Sequence, residues 1–298
     1  MTRRTVFVVL AIAGVLPLAA RAYQAPAQQQ GPKVVEVEKV KENLYMLKGG
    51  GGNTAVYVGT NGVTVVDAKN PGWGQPILDK IKELTPKPVT LLINTHTHGD
   101  HVSGNVDFPA TVDIVVQENT KANMEKMPIF KENGGKGMAK KTFKDKMTLG
   151  SGKDRVDLYY FGRGHTNGDG FIVFPELRVA HAGDIFSGKN LPLLDYNNGG
   201  SGVEIGSSLA KAHAAIKNVD SIITGHSTVM TWKDLEEYAR FNKDFLAWVQ
   251  AEMKAGKSVD AAAAEYKIPE KYAGYTPNAN QTKSNVGVIY NELKSSEK

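Results

Sequence analysis

Between Thr95 and His101 the chain reads Thr-His-Thr-His-Gly-Asp-His, so three imidazoles and a carboxylate fall within six residues. Imidazole and carboxylate are the ligands zinc takes when no thiolate is offered, and this chain has no cysteine. Three crowded histidines serve packing badly, because protonated rings would repel one another. At the end of a strand, His96 and His98 can point to one side while Asp100 and His101 reach past them. Two adjacent metal pockets can then be fed from this one short segment.

A ligand loop of this kind needs firm elements around it. Val89 to Ile93 reads as a buried strand directly before the loop, and Pro86 and Pro88 stop a helix over Pro76 to Leu84, where Ile77, Ile81 and Leu84 recur at helical spacing. Upstream, Val34 to Leu47 and Thr54 to Asp67 alternate apolar and polar residues, broken by Gly50-Gly51-Gly52-Asn53 and by the hairpin dipeptide Asn61-Gly62. Downstream, Asp113 to Gln117, Val156 to Phe161, Gly170 to Phe174, Val179 to Ala182 and Ser221 to Thr224 read as strands, the last of them ending the series. Asn119 to Lys126 and Val203 to Ile216 read as helices.

Leu235, Tyr238, Phe241, Phe245, Trp248 and Met253 make Trp232 to Lys254 an amphipathic helix, and Val259 to Tyr266 and Val286 to Leu293 are shorter helices. Strands and helices thus come in two similar successions, which layer as two sheets face to face with helices outside. Pro128 to Lys146, rich in glycine and lysine and without periodicity, reads either as a mobile flap that brings Ile129, Phe130 and Met138 over the metal pocket or as a solvated surface loop.

The histidine loop resembles the His-x-His-x-Asp-His motif that stands at a strand end in the metallo-β-lactamase superfamily. In that family's order, Gly164-His165-Thr166 follows one strand, Gly183-Asp184 ends the next and Gly225-His226 ends a third, so the resemblance runs by motif from about Val35 to Thr228. It implies an α/β fold, the four-layer αββα sandwich, over a domain spanning 34–298 with a helical C-terminal tail. It also implies two zinc ions, the first held by His96, His98 and His165, the second by Asp100, His101 and His226, with Asp184 bridging both. Iron or manganese suits the same nitrogen and oxygen donors.

A hydroxide between two cations is a nucleophile at neutral pH, and the resemblance makes Asp100 the catalytic residue that positions it and takes its proton. Asp67, closing the strand Val63 to Val66, either braces the histidine loop or caps a turn, and Asp169 invites the same two readings. His181 alternates to the strand face opposite Asp184, which reads as packing or surface, and His213 reads as an ordinary helix-face residue.

Within the superfamily, the lactamases that carry a cysteine at the Asp184 position place a lysine three residues later, where this chain has Ser187; Lys189 and Asn190 stand at the wrong offset to replace it. An aspartate there resembles thioesterases of the glyoxalase II kind and lactonases. The reading is a metal-dependent hydrolase of an ester, thioester, lactone or amide bond, acting on a small-molecule substrate through a metal-bridging hydroxide. One alternative is a β-lactamase of broad or weak activity. Another, of a different class, is a non-catalytic exported zinc-binding module or quinoprotein partner.

The N-terminus fits export: Met1 to Arg4 is basic, Val6 to Ala20 is apolar and too short for a span, and Ala20-Arg21-Ala22 has the form of a signal-peptidase site. Residues 1–22 are read as a cleaved signal peptide and 23–33, rich in Gln, Ala and Pro, as a disordered linker. A periplasmic or secreted protein without a membrane span is expected, with Sec and twin-arginine routes both open. Three charges of the formal +5 lie in the leader, at Arg3, Arg4 and Arg21, which leaves +2. Such a balance gives no reason to invoke nucleic acid.

Overall fold

The apolar residues of the strands divide between two faces, and that division builds the layers. The computed structural model describes residues 33–296; the leader and residues 23–32 of the linker lie outside the described residues. The first sheet has seven strands in sequence order: β1 (Glu36–Lys41), β2 (Leu44–Lys48), β3 (Thr54–Val58), β4 (Val63–Val66), β5 (Val89–Ile93), β6 (Asp113–Gln117) and β7 (Lys141–Phe143). Strands β1 to β4 pair antiparallel, whereas β4 to β7 pair parallel. The second sheet is ordered β13-β12-β11-β10-β9-β8, from β8 (Lys146–Leu149), β9 (Val156–Tyr159), β10 (Phe171–Phe174), β11 (Val179–Gly183), β12 (Ser221–Thr224) and β13 (Met230–Thr231).

Side-chain alternation sends Met46, Ala55, Tyr57 and Val66 of the first sheet against Leu158, Ile172, Phe174 and Val179 of the second, forming the inner core. On the outer face of the first sheet, Val56, Val65, Leu92 and Ile114 meet Ile77 and Ile81 of α1 (Gly74–Leu84). Outside the second sheet, Phe171, Val173, Ala180 and Ile222 meet α5 (Ile205–Ala215), α6 (Trp232–Lys254) and α8 (Ala279–Ser296) through Leu209, Leu235, Phe241 and Ile289. This is the expected four-layer αββα sandwich. Short helices α2 (Gly99–Val102), α3 (Glu118–Met124), α4 (Pro128–Glu132) and α7 (Val259–Glu265) fill the connections. None of the described helices is long and apolar enough to cross a membrane.

The structure departs from the sequence reading in four places. Val34 to Leu47 is two strands, not one, because the chain turns at Glu42-Asn43. The strand series does not end at Thr224, since β13 follows it and pairs antiparallel with β12. Helix α8 begins at Ala279 rather than near Val286: the Asn278 carboxamide accepts from the Gln281 N–H at 3.0 Å, and Thr282 and Asn285 are buried although polar.

Finally, Pro128 to Lys146 is not a flap over the ligand loop. It forms α4, β7 and the start of β8. Phe130 is buried in the outer core of the first sheet, and Ile129 and Met138 pack against that core.

Candidate metal centre

Strands β4 and β5 run parallel, as do β11 and β12, so their C-terminal ends come to one edge of each sheet. From those ends project Asp67, the histidine loop, Asp184 and His226, and the connection between β9 and β10 adds His165. After His98 the chain turns into α2, and the N–H groups of His101 and Val102 both donate to the His98 carbonyl. This turn swings Asp100 and His101 past the two preceding histidines. The backbone crowds closely behind: a Cβ on Gly52 would stand 2.1 Å from the His101 ring, and one on Gly225 1.8 Å from Asp184 Oδ1.

Two sets of donor atoms converge, His96, His98, His165 and Asp184 in one, and Asp100, His101 and His226 in the other, each set lying within 4.8 Å. In the first, His98 Nδ1 is 2.8 Å from His165 Nε2, and Asp184 Oδ2 is 3.8 Å from the latter. In the second, His226 Nε2 lies 3.1 Å from Asp100 Oδ2 and 3.4 Å from His101 Nε2. Asp184 also reaches this second set, at 3.3 Å from His101 Nε2 and 3.2 Å from His226 Nε2. All seven residues singled out in the sequence are therefore brought together, in two groups that share one carboxylate.

Each outward-facing ring nitrogen of four histidines has an oxygen partner. His101 Nδ1 donates to Asp67 Oδ2 at 2.7 Å, His98 Nε2 to Asp195 Oδ2 at 2.7 Å, His165 Nδ1 to the Leu193 carbonyl at 2.6 Å, and His96 Nδ1 to Thr95 Oγ1 at 3.0 Å. For His96, His98 and His165 these bonds fix the tautomer that leaves the inward nitrogen as a lone-pair donor, the arrangement a metal-ligating imidazole needs, and the Asp67 bond sets the ring of His101 so that its inward nitrogen faces the same centre. Inside the cluster, His96 Nε2 and Asp184 Oδ1 are buried with no hydrogen-bond partner. Orphaned acceptors among convergent imidazoles are a poor arrangement for a polar core and a good one for a divalent cation.

Asp67 serves as a brace: it also accepts from Thr95 N at 2.8 Å and Thr95 Oγ1 at 2.7 Å, and it sits at φ 67°. A left-handed backbone at a non-glycine residue costs of the order of 1–3 kcal/mol and is kept where the surroundings demand it. Asp169 accepts from the Thr166 N–H and hydroxyl, the latter at 2.6 Å, and so ties down the turn beside His165. His181 is buried between the sheets, bonded to the Asn53 carbonyl at 3.0 Å, and His213 stacks on Trp232.

The sequence reading missed three participants. Asp195 and the Leu193 carbonyl lie in an irregular loop that carries no motif. Asn53, taken only as a turn residue, donates to the carbonyls of Thr224 and Ser227, which pins the glycine turn of the first sheet to the His226 loop of the second.

Burial lowers His96 well below the usual histidine range and takes His165 to about 4. In the second group the carboxylates prevail. Hydrogen bonds to Asp100 and Asp184 raise His226 to about 9, and Asp184 and Asp67 hold His101 well above its ordinary value against a burial that would lower it. Burial raises Asp169 to about 7 against its hydrogen bonds from Thr166.

A cavity of about 400 Å³ opens on the centre, lined by His98, Asp100, Asp184 and His226 together with Leu191, Leu193 and Gln281 among others. A larger one, about 550 Å³, lies by the C-terminus of α1 among Leu78, Ile81, Phe108 and three lysines, and it holds no histidine. The convergent donor atoms open onto the smaller cavity.

A sandwich of this topology with such a donor set defines a class, and comparison of the chain with known proteins agrees. Residues 47–226 match the model of the metallo-beta-lactamase superfamily, and the chain belongs to that superfamily. It is 26% identical over 239 residues to a metallo-beta-lactamase type 2 of Elizabethkingia meningoseptica, an alignment covering 76% of this chain and 90% of that one. It is 27% identical over 165 residues to a hydroxyacylglutathione hydrolase of Nostoc punctiforme, covering 53% of this chain and 54% of the relative. The solved metallo-beta-lactamase of Pontibacter korlensis superposes with a TM-score of 0.60 at 18% identity over 70% of this chain and 99% of that structure, a likeness of fold.

Proposed function

We propose that the chain is a hydrolase that holds two divalent ions, zinc by preference, and cleaves an ester, thioester, lactone or amide bond in a small molecule. The carrying observation is the convergence of seven imidazole and carboxylate donors around Asp184, with the inward nitrogens of His98 and His165 freed by outward hydrogen bonds and a buried His96 Nε2 that has no partner. His96, His98 and His165 would hold one ion and Asp100, His101 and His226 the other, with Asp184 between them. When bound, the ions supply a water activated at neutral pH and polarisation of the scissile carbonyl.

The chain's own groups do the rest. Asp100 lines the cavity and touches His226, so its carboxylate orients the attacking water and accepts its proton. The His165 to Leu193 and His98 to Asp195 hydrogen bonds keep their imidazoles aimed as charge develops. The leader sequence Met1 to Ala22 supports a periplasmic or secreted location.

A second reading, β-lactamase, is favoured by the relative from Elizabethkingia, which this chain matches over 90% of its length. The position three after Asp184 argues against it as the main activity. Ser187 donates to Asn190 at 3.2 Å, and the Lys189 ammonium is turned away to Asp234 at 2.9 Å and Glu237 at 3.1 Å, so neither stands ready to meet a lactam carboxylate. Losing that charge-assisted bond costs on the order of 2 kcal/mol, more than a factor of ten in kcat/KM.

The test is a panel of a chromogenic ester, a lactone, a thioester and a cephalosporin, assayed with and without chelator, alongside elemental analysis. Chelator-sensitive turnover of the first three above the cephalosporin, with close to two ions per chain, is expected. A cephalosporin kcat/KM near about 10⁶ M⁻¹s⁻¹, within the range of efficient enzymes, would make lactamase the function. Metal binding with no turnover of any probe would leave a non-catalytic binding module.

A further inference from the structure

Of the chain's seven histidines, five converge at the metal centre and His213 stacks on Trp232, which leaves His181. Its ring is fully buried between the sheets, three residues before Asp184. A buried imidazole needs a partner for each nitrogen, and both partners of this one lead to the centre. Nδ1 accepts from the Gly183 N–H at 3.1 Å, and Nε2 donates to the Asn53 carbonyl at 3.0 Å. Burial holds the ring below the ordinary histidine range, in the neutral form that this pair of bonds requires.

The Gly183 bond belongs to a bulge. Strands β11 and β12 stay in register from Val179 to His181, then Ala182 is passed over and Gly183 pairs with Thr224. A bulge disrupts the ladder locally and bends the strand. Here Gly183 takes φ 56° and ψ −143°, a conformation that favours glycine, and a Cβ on it would stand 2.3 Å from Thr95 Oγ1. The Gly183 N–H turns back to His181, so the ring holds the kink from which Asp184 projects. The other bond leads to the opposite ligand. Asn53 is clamped to both flanks of His226: its N–H donates to the Gly225 carbonyl at 2.7 Å, and its carboxamide donates to the Thr224 carbonyl at 2.9 Å and the Ser227 carbonyl at 2.7 Å.

We infer that His181 is a positioning residue for the metal centre: one ring, bonded on one side to the Gly183 kink and on the other to Asn53, sets the aim of Asp184 and the place of the His226 loop. The two bonds differ in reach. The Gly183 bond governs the carboxylate that both groups share, and so bears on both ions. The Asn53 bond governs only the loop of His226, and so bears on the second group alone. This inference rests on the two-metal reading.

The experiment separates the two bonds. An asparagine oxygen can take the place of Nδ1 but its side chain is too short to reach Asn53, whereas a glutamine nitrogen can take the place of Nε2 and gives up the Gly183 acceptor. Zinc is titrated into the wild type, His181→Asn and His181→Gln against a competing chromophoric chelator, and denaturant melts of the metal-free proteins report stability. His181→Asn should keep one of the two wild-type affinities and weaken the other about 10–100-fold, and His181→Gln should weaken both by that factor. Two further variants make the comparison independent of whether either of these folds. His181→Leu, with neither bond, should weaken both affinities, and Asn53→Ala, which releases the His226 loop and keeps the ring's own bonds, should weaken one. Lower stability with unchanged zinc affinities, or one pattern of affinities shared by all folded variants, overturns the positioning role, makes His181 a packing residue and leaves the two-metal reading intact. Fewer than two ions bound by the wild type overturns the two-metal reading, and this inference falls with it.

Discussion

The two ligand groups are built from the same residue types and differ in how they hold protons. His96 and His165 of the first are buried and kept neutral by desolvation, with their orientation set by Thr95 and by the Leu193 carbonyl. In the second, the His226 side chain is 40% exposed and, with His101, is held protonated by carboxylates in the metal-free protein. One group is organised in advance as lone pairs, whereas the other is organised as ion pairs that a metal must displace. The lesson is that equal ligand chemistry does not mean equal readiness, because burial favours the neutral ring and neighbouring carboxylates favour the charged one.

Asp184 is the element the groups share, and removing it should have the largest effect. Asp184→Ala is expected to lower kcat/KM on the best substrate by about 10³-fold or more, roughly 4 kcal/mol of transition-state stabilisation, and to reduce bound metal below two ions per chain by elemental analysis. Retention of two ions and near-normal turnover would show that the groups are independent.

Next come the residues behind the ligands, which allow one group to be weakened at a time. Asp67→Ala leaves His101 Nδ1 and Thr95 N without partners, and Asp195→Ala does the same for His98 Nε2. Each should weaken metal binding about 10–100-fold, the first in the second group and the second in the first group. Because Asp67 is fully buried and Asp195 only partly so, Asp67→Ala should also lower unfolding stability by roughly 1–3 kcal/mol, and Asp195→Ala by less. Competitive chelator titration and denaturant melts separate the two effects. Identical profiles for both variants would erase the distinction.

The smallest effect is one of protons. His226 is raised to about 9 in the metal-free protein, so at pH 7 zinc entering the second group must expel its proton, whereas His165, lowered to about 4, has none to lose. The sign follows from linkage: a histidine with a raised folded pKa stabilises the metal-free fold below about 6.5, and that contribution fades as pH rises through about 9. Zinc affinity in the second group should therefore climb from pH 6 to 9, with proton release of about one or more. Calorimetry in two buffers of different ionisation enthalpy measures this. A first and a second binding event with equal, zero proton release would contradict it.

The sequence by itself determined which donor residues gather at one place, and it did so because the decisive ones are local. Thr95 to His101 needs only the preceding strand Val89 to Ile93 to be recognised, and Asp184 and His226 follow strands with clear apolar runs. Short apolar runs likewise placed β6, β10, β11 and β12, and two-residue alternation sorted His181 from Asp184. A continuous helical stripe gave α6 its limits. Where the signal is short or polar the reading failed: β7 and β13 have three and two residues, and the first turn of α8 is recruited by Asn278 and burial rather than by an apolar stripe.

Tertiary structure alone decided which oxygen stands behind each ring and which residues wall the cavity. Asp195 meets His98 across 97 positions of sequence and Asn53 meets the His226 loop across more than 170, separations over which no periodicity carries information. The same holds for Pro128 to Lys146. Its composition suggested an open flap, but Phe130 found an apolar face on the first sheet, and burial of an aromatic ring outweighs the flexibility of neighbouring glycines. Local chemistry names the donor residues, and packing between distant elements sets their protonation and aim.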